Sequence, residues 1–133
     1  MKVPYLLRTL LFVIILFNGN SAADELYLTI EEREQQAVLI VSAEVLSLVP
    51  LKFSEDLYER KVAILAIQNI SKGNSNAEFI LVSVGYYWPY GMLNSQDINV
   101  EVGMKGTWFL TKEIETGLFK LNSPSDVVIN PLN

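Results

Sequence analysis

Four aromatic side chains fall within five residues, at Tyr86, Tyr87, Trp88 and Tyr90, with Pro89 among them and Gly85 and Gly91 on either side. Aromatic faces stack on sugars or bury in protein partners, and Tyr and Trp dominate the energetics of many interfaces. Such rings also fold back to plug their own domain, which is the commoner arrangement. The expected outcome is mixed, with Trp88 partly buried and Tyr87 or Tyr90 exposed. Carboxylates form a second group. Asp97 and Glu101 flank one loop, and Glu113 and Glu115 flank a tight turn. Paired carboxylates can cleave glycosides, but acidic residues at turns are the usual solvated face of a β domain. The oxygen-rich stretch Asn94-Ser95-Gln96-Asp97-Ile98-Asn99 holds one carboxylate, too few for a calcium loop.

Histidine and cysteine are both absent. Their absence removes thiolate nucleophiles, Ser-His triads and ordinary zinc sites. No catalytic residue, metal site or cofactor is expected.

The first 23 residues read as a secretory signal peptide. Lys2 and Arg8 supply positive charge, Leu10 to Phe17 is unbroken apolar sequence, and Ser21-Ala22-Ala23 offers small residues for cleavage. The run between Arg8 and Asn18 is shorter than the roughly 20 residues of a spanning helix. Cleavage after Ala23 leaves one domain, 24–133, secreted or periplasmic and without stable membrane insertion. A small exported domain without cysteine points to a bacterial source rather than an animal one. Residues 24–133 carry eight basic and fifteen acidic side chains, a formal charge of −7. That balance argues against a nucleic-acid partner, which requires clustered Lys and Arg, and fits simple solubility.

The elements that carry these residues can be read from periodicity. Thr29-Ile30-Glu31-Glu32 has the form of a capping box, so a short helix is expected over 29–36. Ala37, Leu39, Val41, Ala43 and Val45 share one parity of a half-buried strand, and Pro50 ends any simple continuation. A long strand over 57–70 is apolar on both faces, so one face is either covered or open to a partner. Further strands are expected at 78–84, 105–111 and 118–121, with a tight hairpin near Thr116-Gly117 between the last two. Val127-Val128-Ile129 can add a short edge strand. Gly85 to Asn99 reads as a loop. The expected core is Leu39, Val41, Leu65, Ile67, Leu81, Trp108, Leu110 and Phe119.

The order of these pieces resembles a class of small exported bacterial domains. The resemblance rests on the helix and Ala37–Val45 strand, on Lys72-Gly73 after the long strand, and on the Val102-Gly103-Met104-Lys105-Gly106-Thr107-Trp108-Phe109-Leu110 run. It covers roughly residues 30–121. That class is similar to the inhibitory domain of tissue inhibitors of metalloproteinases and to netrin-like modules. The resemblance implies a mainly β fold, a five-stranded antiparallel OB-like barrel with one short N-terminal helix. It carries over no catalytic residue. The inhibitors chelate zinc through an N-terminal cysteine that this chain lacks, and glycine often stands where this chain has Ala43. The expected role is non-enzymatic binding of a protein or peptide in the envelope or outside the cell. The alternative is a carbohydrate-binding module that uses Tyr86, Tyr87, Trp88 and Tyr90 as a stacking platform.

Overall fold

The computed structural model describes residues 28–91 and 98–130. Residues 1–23, where a signal peptide is expected, and most of the 94–99 stretch, with Asp97, lie outside the described residues. A short helix, α1 (Ile30–Gln36), precedes six strands: β1 (Leu39–Leu51), β2 (Arg60–Lys72), β3 (Phe79–Tyr86), β4 (Lys105–Lys112), β5 (Phe119–Lys120) and β6 (Val127–Ile129).

The capping box forms as its sequence suggests. The Thr29 hydroxyl accepts from the Glu32 backbone N–H at 3.2 Å, and the Glu32 carboxylate accepts from the Thr29 N–H at 3.0 Å. Seven residues are too few for a helix to persist by propensity alone, so its attachments matter. Arg33 donates to the Ser125 carbonyl at 2.8 Å and lies 3.7 Å from the Asp126 carboxylate. The Lys72 ammonium donates to the Glu34 carbonyl near the helix C-terminus, where the helix dipole favours a cation. Beneath this end of the fold Ala37, Ile40 and Phe109 form a small apolar cluster.

The strands form one mixed sheet in the order β1-β2-β3-β5-β4-β6, and β1 also pairs with β4. Five strands thus close a ring, with β6 attached outside it on β4. Every pairing is antiparallel except β3 with β5, which is parallel at Val82–Phe119 and Ser83–Lys120. This corrects the wholly antiparallel expectation, and the reason is parity. Alternating directions cannot close around an odd number of strands, so a five-membered ring must contain a parallel pair.

β1 and β2 supply the curvature. Each is thirteen residues long. Their register slips at three places, leaving Ser71, Gln68 and Leu46 without an opposite residue. Extra residues of this kind bend a strand and raise its twist. β1 runs through Pro50, which pairs in register with Lys61, so the expected stop there is also corrected. β4 pairs with β1 only from Leu39 to Glu44. Beyond the Leu46 bulge β1 has β2 as its strand neighbour, and an edge tolerates a residue that cannot donate.

The ring encloses Leu39, Val41, Ala43 and Val45 of β1, Ala63 and Leu65 of β2, Ile80, Val82 and Val84 of β3, and Trp108 and Leu110 of β4. The parity read for β1 is the one observed. Ile67 and Phe119 pack on this core while partly exposed. Leu81 does not belong to it and is 40% exposed. Ser83 shares its parity, and the polar residue marks the outward face. Two glycines permit close backbone approach. Gly73 has a φ of +88° beside the Val38 carbonyl, and a Cβ at Gly106 would stand 2.5 Å from the Val128 carbonyl oxygen of β6.

Candidate functional site

One rim of the ring gathers three segments: the β1–β2 connection (52–59), the chain leaving β3 (87–91) and the β4–β5 connection (113–118). Their common anchor is Arg60, the first residue of β2. It is nearly buried and sits in register opposite Tyr86 at the end of β3. The backbone N–H of Tyr87 donates to the Glu59 carbonyl at 2.8 Å, extending the ladder one step into the rim.

The Arg60 guanidinium ties the β1–β2 and β4–β5 connections together and faces the last residue of β3. Its Nε donates to Asp56 Oδ2 at 2.7 Å and its Nη2 to Asp56 Oδ1 at 3.1 Å. Nη1 donates to both Glu113 oxygens, at 2.7 and 2.9 Å. The planar fork suits such paired contacts, which a lysine could not reproduce. The group also lies 5.1 Å from the Phe53 ring centroid and 5.6 Å from that of Tyr86. The hydrogen bonds from Arg60 hold the Asp56 carboxyl below the usual carboxylate range. The same bonds, with those to Glu113, raise Arg60 further above its already high value. Thr116 donates to Glu113 at 3.1 Å, which fixes the second connection. That connection is a six-residue turn rather than a tight hairpin, with Gly117 N–H donating to the Glu113 carbonyl.

The aromatic run divides into an inner and an outer part. Trp88 is half-buried, with its ring centroid 5.4 Å from those of Tyr58 and Tyr86 at steep interplanar angles. Tyr87 is 40% exposed, with the Lys61 ammonium 5.1 Å from its ring centroid. Tyr90 is 99% exposed and has φ +60°, ψ 25° inside the turn Pro89–Gly91. This left-handed backbone is unusual for any residue with a Cβ. All four residues singled out from the sequence are therefore on one rim, and the mixed arrangement is the one observed.

Around the Arg60 clamp lies an open depression of about 360 Å³, lined in part by Phe53, Glu55, Asp56, Arg60, Glu113 and Glu115. Both Glu113 oxygens are engaged by Arg60, so Glu113 and Glu115 do not form a free pair for glycoside cleavage. Among the described residues no three His, Cys, Asp or Glu side chains come together to hold a metal ion. The apolar outer face of β2 lies elsewhere. Ile64 and Ala66 stand opposite Leu81 and Phe79, and the latter two are exposed.

Phe53, Asp56, Tyr58 and Arg60 belong to the site yet were not evident from the sequence. The available signal was small. Two aromatics sit in a short connection, and an arginine opens an otherwise apolar run.

No protein-family model, curated protein or solved structure matches the chain.

Proposed function

We propose that the chain is an exported, non-enzymatic OB-like barrel that binds a protein or peptide through the rim carrying Tyr86, Tyr87, Trp88 and Tyr90. The five-stranded ring and the short N-terminal helix support the fold. The export assignment rests on the sequence of residues 1–23, and an N-terminus at Asp24 by mass spectrometry is its test. Among the described residues no helix is long and apolar enough to cross a membrane.

The observation that carries the binding role is Tyr90. Its ring contributes no packing, and its left-handed backbone costs roughly 1–2 kcal/mol for a residue with a side chain. Strain of this kind clusters at functional sites. Trp88, held by Tyr58 and Tyr86, gives the outer rings a firm base. Rigid aromatics on a fixed scaffold lose little entropy when a ligand docks.

A phage-displayed random-peptide library tests this. The wild-type chain should retain peptides that the Tyr87→Ala/Tyr90→Ala variant does not. Equal retention by both overturns the reading. The carbohydrate alternative draws on the same rings. It is favoured less because Tyr86 and Trp88 tilt against each other at 55° rather than offering one flat platform. A glycan array showing binding that depends on Tyr87 and Tyr90, with no peptide retained, would favour it.

A further inference from the structure

The chemistry around the exposed rings narrows the partner. Tyr90, Ile114 and Leu57 are the three most exposed large apolar side chains among the described residues, at 99, 94 and 86%. All three stand on the connections that form this one rim. The depression on the same rim, walled by two of these connections, carries the carboxylates of Glu55, Asp56, Glu113 and Glu115 against the guanidinium of Arg60. That guanidinium is already committed to Asp56 and Glu113. The lining thus retains an excess of negative charge on the rim that also exposes Tyr90, Ile114 and Leu57.

The chain's own cations already use these ring faces. Arg60 lies over Phe53 and Tyr86, and Lys61 over Tyr87. Tyr90 has no cation over it among the described residues. We propose that the rim docks a cationic peptide segment of another protein, with an arginine or lysine head group in the acidic depression and the flanking chain on Tyr87, Tyr90, Leu57 and Ile114. This rests on the reading of the rim as a binding surface and adds the class of partner.

Charge complementarity selects this occupant over the others. A second copy docked rim to rim would set four carboxylates against four. An anionic membrane would face the same repulsion. Cations are attracted by the carboxylates, and arginine gains further from flat stacking on aromatic rings.

The test is fluorescence anisotropy of labelled octa-arginine and octa-lysine titrated with the purified protein at low and physiological salt. Octa-arginine should bind more tightly than octa-lysine, and added salt should weaken both. Glu55→Gln/Glu115→Gln should reduce affinity on the order of tenfold. The control pair Glu31→Gln/Glu34→Gln on α1 removes the same charge elsewhere and should change it less than about twofold. Tyr90→Ala should erase the preference for arginine. Absence of octa-arginine binding overturns the proposal, as does equal weakening by the α1 and rim pairs. Rim-dependent binding to phosphatidylcholine vesicles without peptide binding, or a dimer dissolved by Tyr90→Ala, also overturns it. If the library instead yields neutral or acidic peptides that depend on Tyr87 and Tyr90, the cationic preference fails while the rim remains a binding surface.

Discussion

Replacing Tyr90 by glycine should leave the protein as stable as before or make it more stable, even though it deletes a whole aromatic ring. The ring is 99% exposed, so its loss removes almost no buried area. The backbone at φ +60° costs a residue with a side chain about 1–2 kcal/mol, and glycine is free of that cost. Glycine gives back about 0.5–1 kcal/mol through the greater freedom of its unfolded chain. The net gain is about 0 to 1.5 kcal/mol. For a domain near 100 residues this is a melting temperature unchanged or raised by up to roughly 8 °C. Tyr90→Ala keeps the strained backbone, so the glycine variant should melt at or above the alanine variant, the reverse of the usual order in regular structure. Thermal melts of the three proteins by circular dichroism measure this. A loss above about 1 kcal/mol in Tyr90→Gly would refute the reasoning, because it would mean that the ring packs against the fold.

The core and the rim clamp give further expectations. Leu65→Ala, inside the ring, should cost on the order of 2–5 kcal/mol, and Leu81→Ala on the outer face less than about 1 kcal/mol; equal losses in chemical denaturation would mean that the faces of β2 and β3 are misassigned. Gly106→Ala places a methyl against the Val128 carbonyl and should cost about 1–3 kcal/mol as β6 is pushed from β4, with faster hydrogen exchange at Val127–Ile129 as the local readout. Asp56 has a folded pKa below its unfolded value of about 3.8. Its contribution is therefore complete above that value and is lost as pH falls through the lowered one. Asp56→Asn should flatten that part of the acid melting curve, and an unchanged curve would count against the clamp.

The β1 face was legible because one parity stays apolar from Ala37 to Val45 while the other turns polar at Ser42 and Glu44. β3 was harder, since Phe79 to Val82 is apolar on both parities and only Ser83 marks the outside. The closing β3–β5 pair involves two residues of β5, too few to show a period. Pro50 reads as a stop until its position on an unpaired edge is known, and no local pattern contains that. The aromatic run was legible as a candidate because its members are adjacent. The clamp beneath it was not. Arg60 meets Glu113 across 53 residues, and such a partnership exists only once the ring has closed.

The most direct test of the rim is isothermal titration of a library-selected peptide into the wild-type chain and Tyr90→Gly. A hot-spot ring is worth about 2 kcal/mol or more, so the variant should bind at least roughly 30-fold more weakly while melting no lower than wild type. Equal affinity in the two proteins would contradict the account, leaving Tyr90 as an exposed, strained residue without a part in binding.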